Sequence, residues 1–293
     1  MHLITFSDHA GARIGVLTSD GREVIDVTAG RSGMPRTMID LVRAGAAGLA
    51  EVKSALGAQR VPLASVKLHA PFPRPTKNIF CVGKNYHEHA KEFHGSGFDA
   101  SAKDAIPEAP ILFTKAPTTV IANSEPIPAH LDYTHSVDYE GELTVVIGKG
   151  GRGIRKSEAY ARVFGYTIIN DVTSRTLQRQ HAQWFLGKSI DGFCPMGPAI
   201  VTADEIPDVA RLRLVTRVNG EVRQDASVGD LIFDIPTLIE TISRTTTLEP
   251  GDLIATGTCA GVGIGFKPPK FLKAGDRVAV TIEPIGTLEN PVA

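Results

Sequence analysis

The chain has 293 residues, with 31 Lys and Arg against 32 Asp and Glu, a formal net charge of −1. That balance leaves no basic footprint for nucleic acid or for an anionic membrane, and no run of about 18 apolar residues offers a membrane span. Cys81, Cys194 and Cys259 are odd in number, far apart and without a C-x-x-C pair, which excludes a disulfide framework and a structural zinc site. The start, Met1 to Phe6, lacks a basic leader and soon meets Asp8 and Arg13, so the expected compartment is a reducing cytoplasm. With 29 Gly and 19 Pro among short valine- and isoleucine-rich runs, the chain reads as mainly β with some α. Its length suits one large domain with a small appendage.

Residues 1–71 read as that appendage, a small α+β N-terminal domain. His2 to Phe6 and Ala12 to Leu17 are short strands, and Met38 to Val42 and Leu49 to Leu56 have helical spacing. Pro71, Pro73 and Pro75 mark a linker, and nothing before them carries chemistry, so packing or dimer support is the expected role. The second domain, 72–293, opens with the strand Asn78 to Val82 and a helix over Lys84 to Phe93. His89 and Glu92 share one face of that helix at i, i+3. The breaker-rich segment 95–110 then reads as a lid or a disordered loop, and Pro110 to Lys115 is a further strand.

The stretch Asp138-Tyr139-Glu140-Gly141-Glu142-Leu143 leads into the apolar run Thr144-Val145-Val146-Ile147. Side chains on a strand alternate faces, so Glu140 and Glu142 point the same way. Two carboxylates entering a core need a hard cation, a lysine or arginine, or a shared proton between them. Ala159 to Val163 has the composition of a short helix. Gly165 to Asp171 is a strand ending in a carboxylate, which either caps the helix from Thr173 or joins the Glu140–Glu142 pair. Lys188 sits among Trp184, Phe185 and Leu186, a setting in which lysines are paired or functional. Further on come the strands Leu212 to Val218 and Glu221 to Gln224 about the Asn219-Gly220 turn, then a helix over Leu231 to Thr245. The glycine-rich Gly257 to Gly265 is neither a dinucleotide fingerprint nor a P-loop, because no helix and no Lys-Ser/Thr terminus follow. Its glycines suit a sharp turn or close approach to a ligand. Val278 to Ile282 and Ile285 close the sheet.

If Glu140, Glu142 and Asp171 converge, an all-carboxylate donor set suits Mg²⁺, Mn²⁺ or Ca²⁺ rather than zinc. Such an ion would chelate a 2-oxo acid through its carboxylate and keto oxygen. If instead the carboxylates pair only with Arg175 or Lys188, no metal is needed.

Five blocks, in order, resemble the fumarylacetoacetate hydrolase (FAH) family: Val82-Gly83-Lys84-Asn85-Tyr86 with His89 and Glu92; Asp138 to Leu143; Gly165-Tyr166 with Asp171-Val172-Thr173; Lys188-Ser189; and Thr256-Gly257-Thr258 with Gly261-Val262-Gly263. The resemblance covers residues 72–293. It implies a mixed β-sandwich or β-roll for that domain, a homodimer, and Mg²⁺ or Mn²⁺ on Glu140, Glu142 and Asp171. It also implies a catalytic role for His89, Glu92 and Lys188, and substrate contacts from Lys84, Tyr86, Gln178 and Thr258. Two positions depart from the family pattern: Cys259 where many members carry proline, and Lys84 where many carry arginine. Lysine lacks arginine's forked carboxylate contact. The activity implied is hydrolysis of the C–C bond of a 2,4-dioxo acid of the acylpyruvate type, giving pyruvate and a carboxylic acid. In that reaction the His89–Glu92 dyad would activate water and Lys188 would stabilise the oxyanion. Oxaloacetate decarboxylation and isomerisation, hydration or lyase chemistry on related 2-oxo or 2-hydroxy-dienoic acids are the alternatives, and a non-catalytic ligand-binding protein is the remote one.

Overall fold

The computed structural model describes residues 1–99 and 105–293. The first strands are β1 (His2–Asp8), β2 (Gly11–Leu17), β3 (Glu23–Ile25), β4 (Arg60–Pro62) and β5 (Lys67–His69). The second group is β6 (Ile79–Gly83), β7 (Ile111–Lys115), β8 (Val120–Ile121), β9 (Val137–Asp138), β10 (Gly141–Ile147), β11 (Val163–Asn170), β12 (Thr173–Ser174) and β13 (Cys194–Thr202). The last are β14 (Arg213–Val218), β15 (Glu221–Ser227), β16 (Leu253–Thr258), β17 (Arg277–Ile282) and β18 (Gly286–Pro291). Among the described residues five α-helices accompany them: α1 (Met38–Ser54), α2 (His87–Gly95), α3 (Arg175–Gln180), α4 (Phe185–Lys188) and α5 (Ile235–Thr245). The fold is therefore mostly β.

One large sheet runs in the order β4-β3-β2-β1-β13-β11-β10-β16-β6-β7, with β5 on β1 and β8 on β13. The N-terminal strands thus continue the sheet of the rest of the chain: β1 pairs antiparallel with β13, His2 opposite Val201 and Leu3 opposite Ile200. A single apolar core likewise joins Leu3, Ile14 and Leu41 to Ile79, Val146, Ile200 and Ala255. Strand β10 lies between β11 and β16, and every one of its residues is buried, so its apolar run does enter the core. A second sheet, β15-β14-β17-β18, packs against it. The terminal strands close this second sheet rather than the first.

Local chemistry accounts for where the helices start and break. In α5, Asp234 accepts the Thr237 N–H as N-cap, and Ile235, Leu238, Ile239 and Ile242 form one buried stripe. The helical pattern from Leu231 starts late because Leu231 bridges to Tyr86 and the Ile232 N–H donates to the Asn85 carbonyl. The two helical segments expected before residue 57 are one run, α1, bent at Gly45 where φ is 57°. The segment from Ala159 forms 3-10 turns, and Val163 already belongs to β11. Helix α2 begins at His87 rather than Lys84, whose φ of 55° is left-handed and outside a helix. Of the expected lid over 95–110, residues 100–104 lie outside the described residues.

Candidate active site

The ends of β10 and β11 are pinned together at the point where the carboxylates sit. The Glu140 N–H donates to Asn170 Oδ1 at 3.0 Å, and the Asp171 N–H donates to the Glu140 carbonyl at 2.8 Å. This brings one oxygen each from Glu140, Glu142 and Asp171 within 4.8 Å of one another, all three residues buried. Asp171 caps nothing: α3 starts at Arg175 with Ser174 as N-cap, and the carboxylate is drawn instead to two lysines.

Those lysines come from different elements. Lys188 Nζ, at the end of α4, donates to Glu140 Oε2 at 2.6 Å and to Asp171 Oδ2 at 2.8 Å. Lys115, ending β7, places Nζ 2.8 Å from Asp171 Oδ1 and donates to the Val172 carbonyl at 3.0 Å and to the Lys188 carbonyl. Arg175 places Nη2 2.6 Å from Glu140 Oε1, and its Nε donates to Asp138 Oδ2 at 2.9 Å. The Lys115–Asp171 and Arg175–Glu140 Nη2 contacts are close in distance but off the hydrogen-bond line, which leaves Asp171 Oδ1 without an aligned donor.

Four buried carboxylates (Asp138, Glu140, Glu142, Asp171) thus face three buried cations (Lys115, Arg175, Lys188). The imbalance falls on Glu142. It accepts the Gly257 N–H at 2.9 Å, and no lysine or arginine among the described residues forms an ion pair with it. Burial pushes its pKa well above the ordinary carboxylate value, and the neighbouring Asp171 and Glu140 charges push it further. Glu140 goes the other way. Burial alone would raise it, but Lys188 and then Arg175 outweigh burial and hold it at about 2. Lys188 is likewise raised: burial lowers it, and Asp171 and Glu140 more than compensate. Three hard oxygen donors, one without a cationic partner and one with an unaligned oxygen, fit a divalent cation. The pairing of two of the three with Lys188 and Arg175 does not use up the set.

Around this cluster lies a recess lined by Lys84, His89, Glu140, Glu142, Arg175, Gln178, Lys188 and Thr258, with Phe93, Phe113 and Trp184 as its apolar wall. Phe93 and Phe113 both meet the Trp184 ring edge-on, at 5.8 and 5.2 Å. His89 Nδ1 is 3.1 Å from Glu92 Oε2, and Glu92 Oε1 accepts the Gly261 N–H at 3.0 Å. The glycine-rich loop wraps the protein's own carboxylates. Asp138 accepts the Gly263 and Ile264 N–H groups at 2.6 and 3.1 Å, and any side chain at Gly265 would collide with Glu92.

The remaining residues singled out from sequence are placed as follows. Gln178 Oε1 accepts from Arg175 Nη1 at 3.1 Å, and the Thr258 hydroxyl donates to the Gly141 carbonyl at 2.9 Å. Lys84 pairs with Asp99 at 2.8 Å, both side chains buried. Tyr86 does not line the recess: its ring belongs to the large core, because the residue sits at the N-cap of α2 and its backbone bridges to Leu231. Lys115 and Gln224 have no site role on the sequence alone, and Arg175 is there only a possible ion-pair partner. Lys115 ends the apolar strand Ile111 to Thr114, the same signal that drew attention to Lys188.

A buried carboxylate cluster with its own lysine, at the foot of a small recess beside a His–Glu pair, fits a site for a divalent cation and a small acid. Residues 78–293 match the family model described as fumarylacetoacetate (FAA) hydrolase C-terminal. A curated relative, oxaloacetate tautomerase YisK of Bacillus subtilis, is 55% identical over 237 residues, 81% of this chain and 76% of that one. Among solved structures, fumarylacetoacetate hydrolase from Exiguobacterium antarcticum superposes with a TM-score of 0.85 at 43% identity, covering 100% of this chain and 99% of that one. Maleylpyruvate hydrolase from Sphingobium sp. SYK-6, in complex with manganese(II) and pyruvate, gives 0.79 at 33% identity, covering 100% and 99%. The chain belongs to the fumarylacetoacetate hydrolase family, and it is an enzyme. No helix among the described residues is long and apolar enough to cross a membrane.

Proposed function

We propose that this enzyme holds Mg²⁺ or Mn²⁺ on Glu140, Glu142 and Asp171 and interconverts the keto and enol forms of a 2-oxo acid of the oxaloacetate type. The observation that carries the reading is the sharing of one recess by Glu140, Glu142, Lys188 and His89, with an Asp171 oxygen within 4.8 Å of the two glutamates. The 55% identity to an oxaloacetate tautomerase supports the choice of reaction. When bound, the ion supplies Lewis-acid polarisation of the 2-oxo group, which acidifies the neighbouring C3–H bonds.

The chain's own residues do the rest. Glu92 engages His89 Nδ1 and leaves Nε2 to take the C3 proton and pass it to the 2-oxygen, giving the enol, or to carry it back for the keto form. The Lys188 ammonium, kept protonated by its carboxylate partners, faces the oxygen on which charge develops. Phe93, Phe113 and Trp184 keep water from that proton in transit. Residues 1–71 form a supporting domain, and the working unit is a cytoplasmic homodimer.

A second reading is C–C hydrolysis of a 2,4-dioxo acid to pyruvate and a carboxylic acid. It is favoured by the His89–Glu92 contact, which suits activation of a water. One experiment separates them: loss of enol absorbance from oxaloacetate and pyruvate release from oxaloacetate, acetylpyruvate and fumarylpyruvate, each with Mg²⁺, Mn²⁺ or EDTA. Metal-dependent enol decay without pyruvate supports the tautomerase. Pyruvate from the acylpyruvates supports the hydrolase, and pyruvate from oxaloacetate a decarboxylase. Equal rates with and without EDTA refute both of the readings put forward here.

A further inference from the structure

Gln224 lies in β15, in the second sheet, yet its side chain is fully buried against the strand that carries the carboxylates. Its Oε1 accepts the Gly141 N–H at 3.0 Å, and its Nε2 donates to Thr258 Oγ1 at 2.7 Å and to the Cys259 carbonyl at 2.8 Å. The orientation of the amide is forced, because an N–H can only donate and a carbonyl can only accept. Thr258 Oγ1 then donates to the Gly141 carbonyl at 2.9 Å and closes a ring. Both peptide units flanking the Gly141 Cα are therefore held, and Gly141 is the residue that separates Glu140 from Glu142. The second sheet also presses on this point directly: a side chain at Gly141 would collide with Thr216 and Val280.

We infer that Gln224 is a positioning residue: it fixes the spacing of the Glu140 and Glu142 carboxylates through Gly141, and it leaves the Thr258 hydroxyl facing the recess as an acceptor only. A hydroxyl has one proton and two lone pairs. The proton is committed to the Gly141 carbonyl and one lone pair to Gln224, so a single acceptor site remains. A ligand group that donates, such as an enol hydroxyl or a water, can meet it. A keto oxygen or a carboxylate cannot. This rests on the proposed reading of the recess as a metal-dependent 2-oxo acid site, and it adds an enol-selective contact to it.

The test is Mn²⁺ binding by electron paramagnetic resonance in the full chain and in two variants. Gln224→Met keeps the length but leaves the Gly141 N–H and Cys259 carbonyl unmet, and Mn²⁺ affinity is expected to fall about tenfold. Gln224→Glu keeps the acceptor for Gly141 and loses both donors. It is expected to bind Mn²⁺ within about threefold of the unmodified chain, although it buries an extra charge. A merely structural glutamine predicts the reverse, with the Glu variant at least as impaired. Unchanged affinity in folded Gln224→Met overturns the inference. If that variant does not fold, Gln224→Glu decides alone: near-parent affinity supports it and a larger loss overturns it. An unmodified chain that binds no Mn²⁺ would instead overturn the metal reading itself.

Discussion

Lys115 is a buried cation of the cluster whose removal the charge arrangement makes costly. It is completely buried, and its Nζ meets Asp171 Oδ1 and the carbonyls of Val172 and Lys188. Lys115→Met keeps the bulk and removes the charge. Asp171 would then share Lys188 alone with Glu140, and two cations would face the four carboxylates. Breaking a buried pair by deleting one partner costs about 3–5 kcal/mol, because the other charge stays buried without compensation. For a chain of this size that corresponds to a fall in Tm of roughly 5–8 °C. The assay is denaturant unfolding in EDTA, repeated with saturating Mn²⁺. The ion should recover more stability in the variant than in the parent, since it replaces lost positive charge. A loss below about 1 kcal/mol in EDTA, the size of an exposed ion pair, would refute the reasoning.

Two other predictions follow from the same geometry. His89→Ala is expected to lower kcat by about 10²–10⁴-fold while Mn²⁺ binding stays intact, checked by kinetics beside a metal titration. Glu142 sets a pH dependence. Its pKa is raised in the folded protein, so the folded state holds the proton more tightly than the unfolded chain does. That contribution to stability is complete below the ordinary carboxylate pKa and is lost as pH rises through the raised folded value. In EDTA, stability should therefore decline across that window, and Mn²⁺ affinity should rise across it because the ligand must be ionised. Glu142→Gln should flatten both trends.

Much of the site was legible because period-two alternation places Glu140 and Glu142 on one face whatever the rest of the chain does. Asp171 was readable as a strand-end carboxylate, but not its partners. Lys115 and Lys188 lie 56 and 17 residues from it, and only the sheet order and α4 bring them together. Gln224 carries no local signal at all. It matters because the second sheet packs its face against Gly141, a long-range contact that composition and periodicity do not encode. The same limit explains the N-terminal strands. Their existence follows from alternation, but their pairing with β13 depends on which edge the large sheet leaves open. Tyr86 shows the opposite case. A motif places it beside site residues in sequence, while the turn into α2 carries it into the core.

The most direct test of the account is a Mn²⁺ titration of the purified chain against its Glu142→Gln/Asp171→Asn double variant. The account predicts one bound ion per chain in the parent and none in the folded variant. Equal binding by both, or no binding by the parent, would contradict it.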